Sequence, residues 1–184
     1  DRSGTVDANL NLLKAVELAL TGGFDLAPFT DPMSGKTDPP TRWGADTGDA
    51  TRFETWEQFW EAYAAQTRHI IQRIVNLYEQ SESIRARFAP TPYVSCLVRG
   101  CADTGRDITE GGAELGYVTI EAVTYATTVD SLLAVKFLVF DQKFCTLAEL
   151  LQALRDNWAG HEVLQARALH KAPKYGRDDD AADA

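Results

Sequence analysis

The sequence predicts a mainly α-helical segment with few strands. Three observations point there. Apolar residues recur at helical spacing over several long stretches. Two capping boxes mark helix starts, Thr55 to Gln58 and Thr146 to Glu149. Only one short run is rich in β-branched and aromatic residues. The 184 residues are enough for one domain with a sizeable core.

The first helix is expected over 7–20. Leu10, Leu13, Val16 and Leu20 form its stripe, with Leu12, Ala15 and Ala19 beside it, so most of its circumference should be buried. Gly22-Gly23 ends it where a left-handed residue is wanted. An irregular loop follows over 22–54; residues 22–48 alone hold five glycines and four prolines. A loop of that length is usually functional or packed against something else. The next helix is expected over 55–82. Trp56, Phe59, Trp60, Tyr63, Thr67, Ile70, Ile71, Ile74, Leu77 and Tyr78 line one face as core, and Gln66, Arg68, Gln72 and Arg73 fill the opposite one.

Pro90 and Pro92 break the chain, and a helix is expected over 93–103. Gly111-Gly112 opens a turn. Residues 117–125 read as a strand, with Thr119, Glu121 and Val123 on one side. Further helices are expected over 128–140, hydrophobic nearly all round, 146–158 and 161–170.

Composition removes several functions. The net charge is −9 and no basic stripe stands out, so nucleic-acid binding is not expected. The longest apolar run, Leu132 to Phe140, is too short for a bilayer, which takes about 20 residues. Three cysteines, Cys96, Cys101 and Cys145, form no framework and read as reduced, buried thiols of a cytoplasmic protein. No further ligand is spaced for a zinc or iron–sulfur site, so no metal is expected. The first residue is not Met, and a processed or partial chain is expected.

Several words carry a resemblance. They are Asn11-Leu12-Leu13-Lys14 through Gly22-Gly23, Thr47-Gly48-Asp49 with Phe53, Thr55 and Phe59, Pro90-Thr91-Pro92 with Ser95, and Cys101 through Ala113. Asp130-Ser131-Leu132 through Phe140 and Ala172-Pro173-Lys174-Tyr175-Gly176-Arg177-Asp178-Asp179-Asp180 complete the set. In this order they resemble the glycyl radical enzymes, the pyruvate formate-lyase superfamily.

The resemblance implies part of an α/β ten-stranded barrel wrapped by helices, spanning 1–184 as a partial pyruvate formate-lyase-like domain. The implied activity is a glycyl radical lyase or synthase. It would cleave or form C–C or C–X bonds in a small organic substrate, aromatic in one branch of the family, through a thiyl radical located outside this chain. Asp1-Arg2-Ser3-Gly4 points to the branch of benzylsuccinate synthase and arylacetate decarboxylases. The family's thiyl cysteine and radical glycine match no position here, and the Arg-Val-x-Gly-Tyr word is absent. This chain alone is expected to be inactive.

The implied partners are the rest of the parent enzyme, a radical S-adenosylmethionine activating enzyme that installs the glycyl radical, the substrate and a second copy in a homodimer. No directly bound cofactor is expected. Thr119, Glu121, Val123 and Tyr125 are the pocket candidates; a carboxylate such as Glu121 in an apolar cavity could accept a substrate hydroxyl or hold a proton. The competing reading is that Glu121 is a solvated strand residue. Arg106 and Asp107 are read as an ion pair or turn cap. Glu114, Leu115 and Gly116 intervene where many family members have an aromatic residue and Asn, which argues against a glycerol or diol dehydratase. The alternative reading is a non-catalytic split subunit or helical module that completes another chain's barrel.

The apolar helices would expose large faces if the segment stood alone. Expressed by itself, the 184-residue chain is expected to aggregate or to fold poorly; a monodisperse product with a cooperative melt in calorimetry would contradict this.

Overall fold

The computed structural model describes residues 6–26, 30–37, 39 and 41–183. Strand β1, Val6–Asn11, runs into helix α1, Leu12–Thr21. A 3-10 turn at Ala50–Arg52 precedes the long helix α2, Trp56–Phe88. Two short helices follow, α3 at Pro92–Ser95 and α4 at Cys101–Thr104, and then a 3-10 turn at Ile108–Glu110. Strand β2, Thr119–Val123, leads to helix α5, Tyr125–Val135, which continues as a π-turn over Lys136–Asp141. Helices α6, Leu147–Arg155, α7, Glu162–His170, and α8, Asp180–Asp183, complete the chain. The fold is thus mostly helical with two parallel strands, β1 beside β2. Among the described residues no helix is long and apolar enough to cross a membrane.

The chain divides into two compact units. One takes residues up to Leu10 together with Ile71–Val123; the other takes Asn11–Ile70 and residues from Thr124 onward.

The second unit holds the main core. Val16, Ala19 and Leu20 of α1 cluster with Phe59, Leu132, Val135 and Leu138 and with leucines of α6 and α7. The Trp56 ring packs edge-on against Phe140 at 6.0 Å. Gly22 caps α1 in the left-handed conformation, φ 66°, and a Cβ there would meet the Gly48 carbonyl at 2.5 Å. The Thr55 and Thr146 capping boxes both form.

Gln66 departs from the amphipathic reading. Expected on the polar face, it is fully buried. The backbone of the irregular loop supplies its partners. Its Nε2 donates to the Ala45 carbonyl at 2.9 Å and to Thr47 Oγ1 at 3.0 Å, and its Oε1 accepts from the Ala45 amide at 2.9 Å. One primary amide therefore satisfies both backbone groups of Ala45, which lies beyond the loop's own bridges at Phe24–Arg42 and Thr30–Thr37.

In the first unit a carboxylate plays the same part. Asp107 Oδ1 accepts from the Thr109 amide at 3.0 Å and hydroxyl at 2.7 Å. Its Oδ2 accepts from the Thr91 amide at 3.0 Å and from Ser95 Oγ at 2.8 Å, while Ser95 Oγ accepts from the Ile108 amide at 2.9 Å. Pro90-Thr91-Pro92 is thus tied to Arg106-Asp107. The two residues form no ion pair with each other in the knot; Arg106 donates to the Glu110 carbonyl and Asp107 is the turn cap. The Thr109 amide, then the Thr109 and Ser95 hydroxyls and the Thr91 amide, hold the Asp107 carboxyl far below the usual carboxylate range, against an opposing desolvation. Gly112 packs so closely that a Cβ would overlap the Arg106 carbonyl.

Four boundaries correct the sequence reading. Residues 7–11 are strand, because Val6, Ala8 and Leu10 alternate with period two and Asn11 caps the helix only afterwards. The helix expected over 93–103 is two short ones, broken where Gly100 takes φ 94°. Helix α2 continues past 82 to Phe88, since the next proline is Pro90. The helix expected to start at 128 starts at Tyr125, and its last turn widens into the π-turn. Cys96, read as buried, is exposed at the end of α3; Cys101 is buried. Residues 1–4, which pointed to the aromatic branch, and residues 27–29, 38 and 40 of the expected loop lie outside the described residues.

Two predictions follow from these clasps. Gln66→Leu leaves the Ala45 amide and carbonyl unpaired, at about 2 kcal/mol. Hydrogen exchange at the Ala45 amide is then expected to accelerate about 30-fold. Asp107 has a depressed folded pKa, so its contribution is complete above about pH 4, the unfolded value, and fades only as pH falls toward the folded one. Exchange protection of the Ile108 and Thr109 amides should therefore hold unchanged from pH 7 to pH 5, and Asp107→Asn should lower it at both.

Candidate functional site

The candidate site begins with β2. Its alternation sets Thr119, Glu121 and Val123 on one face and Ile120 and Ala122 on the other. Thr119 and Ile120 are half-buried, and Glu121, Ala122 and Val123 are exposed. The strand follows the Asp107 knot and the tight Gly112 turn, so its approach is fixed by hydrogen bonds. The Glu114 amide donates to the Arg99 carbonyl at 2.9 Å, which pins the stretch before it.

Tyr125 does not belong to that strand. The expected strand over 117–125 ends at Val123, because Thr124 turns into the left-handed region at φ 64°. That conformation is rare for a β-branched residue and costs on the order of 1–3 kcal/mol. Its hydroxyl explains why it persists. Thr124 Oγ1 donates to Asn11 Oδ1 at 2.9 Å and accepts from the Leu13 amide at 3.1 Å. Asn11 Oδ1 also accepts from the Lys14 amide at 3.3 Å, capping α1. The Thr124 carbonyl accepts from the Thr128 amide and hydroxyl, starting α5. Sequence reading took Asn11 as part of a helix and missed this pair; Asn ahead of Leu12-Leu13-Lys14 was the available signal.

Tyr125 opens α5 and is 56% exposed. Its ring meets Tyr175 edge-to-face, centroids 5.5 Å apart and planes at 87°. The Tyr175 amide donates to Asp130 Oδ1 at 2.9 Å, and Lys174 Nζ lies 4.0 Å from Asp130 Oδ2. The Ala-Pro-Lys-Tyr-Gly word is thereby seated on the Asp-Ser-Leu helix.

The second unit also carries a groove of about 660 Å³ floored by Val16, Leu20, Leu138, Leu150 and Trp158. It holds none of the four pocket candidates. Its rim lysine Lys14 pairs with Asp25 at 2.6 Å and Glu17 at 2.8 Å. Partial burial would lower the Lys14 ammonium, but these two carboxylates outweigh it and raise it. The groove therefore offers apolar surface and ions already matched to one another. Burial pushes the Cys145 thiol up to about 11, which makes it a poor nucleophile. Among the described residues no three His, Cys, Asp or Glu side chains cluster to hold a metal.

The chain matches the "Pyruvate formate lyase-like" family model over residues 1–184. It is 36% identical over 174 residues to trans-4-hydroxy-L-proline dehydratase of Clostridioides difficile, covering 95% of this chain and 21% of that protein. It is 39% identical over 180 residues to isethionate sulfite-lyase of Oleidesulfovibrio alaskensis, covering 96% and 20%. The glycerol-bound B12-independent glycerol dehydratase of Clostridium butyricum superposes with a TM-score of 0.84 at 30% identity, over 99% of this chain and 22% of that one. The chain spans about a fifth of the length of these relatives. On sequence and fold together, the chain belongs to the pyruvate formate lyase-like family, within the glycyl radical enzyme superfamily.

Proposed function

We propose that this chain is part of a glycyl radical dehydratase or lyase that cleaves a carbon–heteroatom bond in a small polar organic substrate. The observation that carries the reading is the family match over residues 1–184, joined to the superposition on a glycerol dehydratase. The named relatives are dehydratases and a sulfite-lyase. They draw the reading away from the aromatic branch and from C–C cleavage. They also weaken the argument against a dehydratase drawn from Glu114, Leu115 and Gly116. The radical-bearing cysteine and glycine are assigned to other parts of the parent enzyme, since no Arg-Val-x-Gly-Tyr word occurs here. The radical is installed by a radical S-adenosylmethionine activating enzyme, and the working enzyme is a homodimer.

In this reading β2 presents its Thr119, Glu121 and Val123 face to the substrate. The Thr119 hydroxyl and Glu121 carboxylate address substrate hydroxyl groups, and Glu121 holds or accepts a proton. Val123 contributes apolar surface that excludes water, which radical chemistry requires. Tyr125 is a further substrate-contacting residue from the start of α5.

Electron paramagnetic resonance on the parent enzyme, activated anaerobically, tests this. A glycyl doublet is expected, and Glu121→Gln should leave its intensity unchanged while lowering kcat about 100-fold. No doublet would sink the enzyme reading in favour of a non-catalytic module. A doublet with unaltered Glu121→Gln kinetics would remove Glu121 from the chemistry.

A further inference from the structure

We propose that Tyr175 is a positioning residue for Tyr125, holding that ring at the start of α5 through an edge-to-face contact anchored on the Asp130 carboxylate. The inference rests on the reading that Tyr125 touches substrate. It goes beyond that reading by giving the Lys174-Tyr175-Gly176 word a task in substrate binding.

Tyr125 needs a support. It follows Thr124, whose left-handed backbone aims the chain out of the strand, and more than half of its surface is exposed. An exposed aromatic ring samples several rotamers unless a neighbour confines it. The Tyr175 ring is that neighbour, at 5.5 Å and 87°, the T-shaped arrangement that aromatic quadrupoles favour.

Tyr175 is itself held. Its amide donates to Asp130 Oδ1 at 2.9 Å, across 45 residues of sequence. Lys174, its side chain only 13% exposed, lies 4.0 Å from the other oxygen of the same carboxylate. Asp130 stands in α5 five residues after Tyr125, so one rigid helix carries both the ring to be placed and the anchor of the ring that places it. Backbone anchoring matters here. A side-chain hydrogen bond would leave Tyr175 free to move with its loop, whereas the amide fixes the main chain from which its ring projects.

The test uses the anaerobically activated parent enzyme with its own substrate. Tyr175→Ala is expected to raise KM about fivefold or more, with glycyl doublet intensity and kcat little changed. Tyr175→Phe keeps the ring and the amide and should restore KM to within about twofold. Tyr125→Ala should raise KM as well, and the double variant should cost no more than Tyr125→Ala alone. Unaltered KM in Tyr175→Ala beside a raised KM in Tyr125→Ala overturns the positioning role and leaves the pocket reading standing. Additive effects in the double variant overturn it too. Unaltered KM in both single variants overturns the role of Tyr125 together with its support. Equal damage in Tyr175→Ala and Tyr175→Phe also overturns it, because the phenol would then act by itself.

Discussion

The hydrogen bond from Thr124 Oγ1 to Asn11 Oδ1, 2.9 Å long, is the constraint on which this fold turns. Two strands end at these residues and two helices begin there. Each strand must hand the chain to a helix within one residue, and each helix start brings amides with no partner inside the helix. Thr124 meets the first demand with a left-handed backbone that a β-branched residue rarely takes. Its hydroxyl and the Asn11 amide oxygen meet the second, accepting from Leu13 and Lys14. This polar pair thus caps α1, while α5 starts from the Thr124 carbonyl, which accepts from the Thr128 amide and hydroxyl. The burial of Val16, Leu20, Leu132 and Val135 follows from those starting points.

The same physics appears where the chain is irregular. An amide that falls outside any ladder must be satisfied elsewhere, or lose on the order of 1–3 kcal/mol if it is buried. Gln66 does so in one unit and Asp107 in the other. The choice of group fits each place. A buried site takes a neutral amide that both donates and accepts, since an unpaired charge there would be expensive. The Asp107 site gathers only donors, from Thr91, Ser95 and Thr109, and a carboxylate is the group that can accept them all.

What the sequence made legible follows from this division. Helices whose apolar spacing serves one core and whose ends carry their own caps can be read locally, as with Thr146 and Glu149 around α6. Gln66 could not, because a polar residue on a helix looks solvated until its partner, a loop 21 residues away in sequence, is known. Residues 6–11 were ambiguous because Leu10 fits both a period of two with Ala8 and a helical period with Leu13. The strand won through pairing with β2, more than a hundred residues distant, which no local pattern reports. Asp107 was legible as a turn cap, though not as the tie to Ser95 and Thr91. The family words were legible in another way: they record contacts such as Tyr175 to Asp130 whose partners lie far apart in the chain.

That last contact bears on how packing between distant segments stays precise. A strand alone offers alternating side chains in fixed register, but the residue after its end is as free as the turn allows. In this chain that turn is strained and anchored, and the next ring is met by a second ring whose backbone is tied to the same helix. Each added tie removes a rotamer or a hinge. Displacements of about 1 Å at a reacting centre can cost about 100-fold in rate, so a family doing radical chemistry gains from such redundancy. The acidic run of Asp178, Asp179 and Asp180 lies just beyond Gly176 and leads into α8, which packs back against α5, so the seated Lys-Tyr-Gly word is followed by a charged segment held on that same helix.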